Sequence, residues 1–209
     1  MGYLKINLKK IAKDEIDLIV DYFKRGKVIV YPTDTIYGLG GLATDKKAIK
    51  KIFKIKGRIE KKPFLILVNS FKMLKKYCWV SRKQEKYLRK TWRGARAVSV
   101  ILKKKRNLPQ ELTGGQETVA VRLPKVKFLI KILSGVGQPI VSTSLNKSGQ
   151  KNLDSVSRLD NYFKKAKPDL IIDAGVIKAK SSRLVDARDI RNIKVLRKLK
   201  IRIFRYIEI

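Results

Sequence analysis

Three features of the 209-residue sequence predict an α/β protein, a twisted mixed sheet covered by helices. Apolar residues alternate along the chain between spacings of about 3.6 and of 2, the repeats of helix and strand. Short β-branched runs end at glycine or proline. A hydrophobic fraction of 44% is that of a globular chain and, at this length, serves one sizeable core, so residues 1–209 are expected to form a single domain. No internal repeat or low-complexity linker divides it.

The first helix is expected over Asp14 to Lys24, where Ile16, Leu18, Ile19, Tyr22 and Phe23 make an apolar stripe between a capping Asp14 and a terminating Gly26. Val28, Ile29 and Val30 follow as a buried strand bounded by Gly26 and Pro32. Beyond Pro32 the pattern gives way to Thr33, Asp34 and Thr35 and then to Gly38, Gly40 and Gly41. Such loops at strand ends are where α/β proteins put ligands, although an ordinary Asx-type turn has the same composition. Asp45 can cap a second helix, with Ala48, Ile49, Ile52 and Phe53 on its apolar face and Gly57 as its stop. Ser70 and Ser81 begin two more, the latter with Gln84 as capping-box partner. Further strands are expected at Phe64 to Val68, Val98 to Leu102, Thr118 to Arg122, Ile140 to Ser142 and Leu170 to Ile172. A mixed sheet under helices buries both patterns.

Composition removes several chemistries. The chain has no histidine, which excludes Ser-His and Cys-His relays and histidine-held zinc, and its one cysteine, Cys78, excludes an internal disulfide. Catalysis must then rest on positioning, cationic charge, backbone dipoles or a hard metal ion held by oxygens. The first ten residues contain no long apolar run, no segment approaches the roughly 18 apolar residues of a membrane span, and Ile6 replaces the hydroxyl residue of a myristoylation signal after Met1-Gly2. A reducing cytoplasm is the expected location. Fifty-one Lys and Arg against 17 Asp and Glu give a formal charge of +34. Such a field attracts polyanions, though the lysines follow no single stripe and a general lysine bias accounts for them equally well.

Four motifs occur in order: Y-P-T-D-T-I-Y-G-L-G from Tyr31, Lys56-Gly57-Arg58, T-V-A-V-R-L-P from Thr118, and Ser144-Leu145-Asn146 at the end of S-T-S-L-N. In that order and spacing the chain resembles the YrdC/Sua5 family, the threonylcarbamoyl-AMP synthases of tRNA modification, in its short single-domain form. The resemblance implies a concave basic ligand-binding surface and a nucleotidyltransferase reaction. L-threonine and bicarbonate or CO2 form an N-carboxylate that attacks the α-phosphorus of ATP, with Mg²⁺ accompanying the nucleotide. Pyrophosphate leaves, and L-threonylcarbamoyladenylate passes to a downstream threonylcarbamoyl transferase complex that modifies adenosine 37 of tRNA (t6A).

Roles follow from the resemblance motif by motif. Thr35, Arg122 and Ser142 would bind threonine, with Thr33 and Asp34 shaping that wall. Lys56 and Arg58 would be the catalytic cations over the triphosphate, joined by Lys62, Thr118, Ser144, Asn146 and Arg197 in binding ATP. Each has a plainer reading: a solvated helix end for Lys56 and Arg58, an exposed loop lysine for Lys62, a salt bridge to a protein acid for Arg122, a strand-to-turn segment for Ser144 and Asn146, and a basic surface strand for Arg197. No protein metal site is expected.

The chain departs from the family pattern at Ile59, where proline is usual, over Arg93 to Ala97, which loses two prolines and a hydroxyl, and at Lys198-Leu199 in place of Pro-Gly. A second reading therefore stands beside the synthase, a nonenzymatic RNA-binding paralogue on the same scaffold. For either, nonspecific RNA binding is expected and membrane association is not.

Overall fold

The computed structural model describes residues 1–58, 62–157, 159, 162–163, 166–179 and 181–197. Its helices begin where local chemistry starts them. Helix α1 (Lys13–Lys24) opens one residue ahead of Asp14, which lies in its first turn, and Glu15 reaches back to the Ala12 N–H at 2.8 Å. In α2 (Lys46–Lys56) the Asp45 carboxylate accepts from the Lys47 and Ala48 N–H groups, and Gly57 closes the helix at φ 54°, a conformation open to glycine. Ser70 caps α3 (Phe71–Tyr77), and Ser81 and Gln84 exchange hydrogen bonds across the first turn of α4 (Arg82–Arg93).

The described strands form one mixed sheet. In chain order they are β1 (Gly2–Lys5), β2 (Ile29–Tyr31), β3 (Gly38–Gly40), β4 (Leu65–Leu67), β5 (Val98–Lys103), β6 (Thr118–Arg122), β7 (Ile140–Ser144), β8 (Leu170–Asp173), β9 (Arg183–Asp186) and β10 (Lys194–Arg197). Across the sheet they run β1-β8-β2-β3-β7-β4-β6-β5-β9-β10. Parallel pairs (β4 with β6, β5 with β9) alternate with antiparallel ones (β4 with β7, β5 with β6). The all-buried triplet of β2 lies one residue later than Val28–Val30. Two short helices, α5 (Gln110–Thr113) and α6 (Lys127–Val136), complete the description.

Two apolar layers cover the sheet and leave a gap. On one side α2, α3 and α4 pack on Val28, Val30, Leu39, Ile66, Val121 and Val141. On the other, α1 and α6 pack on Ile29, Tyr31, Leu67, Ile140, Leu170 and Ile172, and this layer draws no residue from β5, β6 or β9. Full burial of a leucine or isoleucine is worth on the order of 1.5–3 kcal/mol, so helix cover extends as far as the strands offer such residues. Where Leu67 and Ile140 give way to Thr118, Ala120, Ser142 and Ser144, the cover stops.

Four elements escape local propensity. Strand β3 is Gly-Leu-Gly, and a Cβ on Gly40 would sit 1.9 Å from the Val141 carbonyl oxygen, so close approach of β7 dictates glycine there. Helix α6 lacks a capping side chain and contains Gly135, where a Cβ would meet the Val20 side chain at 2.7 Å. Strands β9 and β10 are joined to the sheet through β5 rather than by any apolar run of their own.

Candidate functional site

The uncovered face carries an open pocket of about 460 Å³. Its floor is a row in register, with Ser142 of β7 opposite Leu65 of β4, Leu65 beside Ala120 of β6, and Ala120 opposite Ile101 of β5. Period-two alternation explains the row: Thr118, Ala120 and Arg122 face the pocket while Val119 and Val121 face the core. The lining holds three guanidinium groups, those of Arg58, Arg122 and Arg197, with hydroxyls from Thr33, Thr35, Thr118, Ser142 and Ser144 among others. Its described lining residues include no carboxylate, and so it suits anions.

Arg122, at the end of β6, is 3% exposed. Its Nη1 donates to Thr35 Oγ1 at 3.0 Å, and Thr35 is held in turn by Thr33, whose Oγ1 lies 2.9 Å away and accepts the Thr35 N–H. Asp34 Oδ1 lies 3.3 Å from Nη2, close enough for an ion pair but out of line for a hydrogen bond, and Arg122 Nε has no partner. Burial lowers the guanidinium pKa, and Asp34 opposes that. The protein acid foreseen as the plainer partner is therefore present, and it leaves donor capacity unused.

Arg58 lies just past α2, with its guanidinium 4.9 Å from the Phe64 ring centroid, Nη2 donating to Pro63 O at 3.1 Å, and a buried Nε without a partner. Burial lowers its pKa as well. On the far wall Arg197 spends Nε on Ser182 O at 3.0 Å and Nη2 on Ser182 Oγ at 3.3 Å, and its pKa is lowered by burial and then by the charge of Arg122. Thr118, Ser142 and Ser144 line the pocket as well.

Three expected site residues are placed elsewhere. Lys56 is not in the pocket lining: 3% exposed, its ammonium donates to Ser144 O at 2.6 Å, Asn146 O at 2.9 Å and Asn146 Oδ1 at 2.9 Å. Burial, and after it the charge of Arg58, pushes its pKa down to about 7, while three oxygen acceptors favour the charged form. Asn146 is consumed by the same clasp, its Oδ1 also accepting from Ser144 Oγ at 2.7 Å and its Nδ2 donating to Gln150 O at 2.5 Å. Lys62 is exposed and outside the lining. The departures at Ile59 and Lys198-Leu199 lie outside the described residues, whereas Arg93 and Gly94 end α4 and lead directly into β5.

The pocket also holds residues that sequence reasoning missed: Gln116, Asn152, Ser181 and Ser182. Ser182 is buried, its Oγ sharing a hydrogen with Ser99 Oγ at 2.7 Å. Nothing local marks it, since its hydrogen-bond partners, Ser99 and Arg197, come from β5 and β10. The alternation in T-V-A-V-R was the one available signal for the direction of Arg122.

Residues 21–198 match a family model named for Sua5, YciO and YrdC and described as "Telomere recombination". A threonylcarbamoyl-AMP synthase of Pyrococcus abyssi is 33% identical over 172 residues, which is 81% of this chain and 50% of that protein. The crystal structure of P. abyssi Sua5 complexed with L-threonine superposes with a TM-score of 0.80 at 30% identity, over 89% of this chain and 54% of that one. That of E. coli YciO gives 0.80 at 26% identity, over 95% of both. The chain thus spans about half the length of its P. abyssi relative and nearly the whole of YciO.

Proposed function

The chain belongs to the Sua5, YciO and YrdC family, and from that membership we propose that it is an L-threonylcarbamoyladenylate synthase serving t6A modification of tRNA. The observation that carries this reading is a pocket with no carboxylate among its described lining residues, in which Arg58 and Arg122 each keep a buried Nε donor without a partner. An unpartnered buried donor costs about 1–3 kcal/mol, which an anionic ligand recovers on binding.

In this reading Arg122 takes the threonine carboxylate, with Thr35 and Ser142 beside it. Arg58 and Arg197 take the triphosphate, and Thr118 and Ser144 the remainder of the nucleotide. The threonine amine adds to CO2 with loss of a proton. The resulting carboxylate oxygen then bonds to the α-phosphorus of ATP as the bond to the bridging oxygen breaks and pyrophosphate leaves. No protein nucleophile is needed, because the two anions have only to be held together and their charge neutralised. Mg²⁺ enters as part of the nucleotide substrate. Lys56 and Asn146 hold the Ser144 loop in place without touching phosphate. The product goes to a separate threonylcarbamoyl transferase in the cytoplasm. Among the described residues no helix is long and apolar enough to cross a membrane.

Protein incubated with ATP, Mg²⁺, threonine and bicarbonate is expected to yield threonylcarbamoyladenylate by mass spectrometry, with pyrophosphate release that needs both threonine and bicarbonate. Bound ATP without product at high protein concentration overturns the assignment in favour of the RNA-binding paralogue.

A further inference from the structure

Trp79 is 59% exposed, an unusual position for the side chain with the largest apolar surface. It follows α3, and its N–H donates to Lys103 O at 2.9 Å, while the Lys105 N–H donates to Tyr77 O at 2.8 Å. Segments 76–79 and 103–107 are thereby bound side by side, and the Lys105 ammonium stands 4.6 Å from the Trp79 ring centroid. Residues 70–84 carry five Lys or Arg and no acid, and residues 103–110 carry four and no acid. The bordering acids are Glu85, held by Lys75 and Arg89 at 2.6 Å each, and Glu111, paired with Lys46 at 3.6 Å, while the Glu117 carbonyl accepts the Lys104 N–H. Trp79 and these lysines are absent from the pocket lining.

From these contacts we infer that Trp79, with Lys105 over its ring and Lys76, Lys103 and Arg106 on the same two joined segments, is a docking surface for an unpaired nucleobase of an RNA strand. The indole supplies a stacking face and the cations meet the flanking phosphates, the combination by which single strands are held without sequence preference. RNA is the occupant because its loops display unstacked bases. A base moving onto the ring displaces the Lys105 ammonium toward the adjoining phosphate. The surface is separate from the pocket and stands whether or not the pocket makes an adenylate.

The two tryptophans provide the test, since Trp92 is buried with its Nε1–H bonded to Val98 O. Titrating the protein with an oligoadenylate RNA is expected to quench the exposed tryptophan emission to saturation. Trp79→Ala should weaken binding about five- to a hundredfold, the range for loss of one stacked base. Trp79→Phe should bind nearly as tightly as wild type, with the remaining Trp92 emission unmoved by RNA, and Lys105→Gln should weaken binding a few-fold. Wild-type affinity in Trp79→Ala, equal quenching by inorganic polyphosphate, or tighter binding of a DNA of the same sequence overturns the inference.

Discussion

Lys56 and Arg122 are each 3% exposed, yet the ammonium of the first has an oxygen for every N–H, while the guanidinium of the second is left with an Nε that bonds nothing. Burying a charge is costly in both places, and partners decide what the cost achieves. Around Lys56, acceptors from Ser144 and Asn146 tie the end of α2 to the loop after β7, and no capacity remains for a ligand. Around Arg122, Thr35 and an ill-aligned Asp34 fix the side chain without satisfying it. The residue type and depth are similar; unspent hydrogen-bonding capacity separates a clasp from a binding site.

The sharpest way to break this contrast is to remove each cation and measure ligands and stability separately. Arg122→Ala is expected to weaken threonine binding up to about a hundredfold by calorimetric titration, with ATP binding little changed, because charge-assisted bonds are worth about 1.5–3 kcal/mol. Loss of both ligands together would make Arg122 a second clasp. For Lys56→Met, which keeps the stem packed, the expectation is a loss of stability of about 1–3 kcal/mol in urea unfolding, since buried carbonyls of Ser144 and Asn146 lose their donor. Selective loss of ATP affinity at unchanged stability would place Lys56 in the site after all. Arg58→Ala, already bonded to Pro63 O, should weaken ATP about tenfold and leave threonine binding alone.

The last contrast concerns pH. Lys56 has its pKa pushed down to about 7 from an ordinary 10.5, so between those values the unfolded chain holds more protons and stability rises with pH. One group contributes at most about 1.4 kcal/mol per pH unit. Urea unfolding at pH 7 and pH 9 is expected to show a steeper rise in wild type than in Lys56→Met. Equal slopes would mean that the three oxygen acceptors outweigh burial and keep the proton in place.

Helix starts and stops were legible in the sequence because the groups that make them lie within a few residues. Asp45 meets the N–H groups of Lys47 and Ala48, Ser81 and Gln84 meet each other, and Gly57 adopts a positive φ on its own. The strands of β5, β6, β7 and β8 were legible too, from β-branched runs with a core face. The ordered motifs placed Arg58, Thr35, Arg122, Ser142 and Ser144 before their geometry was known. Only the tertiary structure decided that Lys56 and Asn146 face each other, that β3 is a strand at all, that Ser182 joins Arg197 in the pocket wall, and that Trp79 stays outside. Those outcomes depend on pairings between residues far apart in the chain, as between Lys56 and Asn146 or between Gly38 and Ser144. A local pattern states which residues can bury a side chain or donate a bond; the fold brings together the partner that uses it or leaves it free.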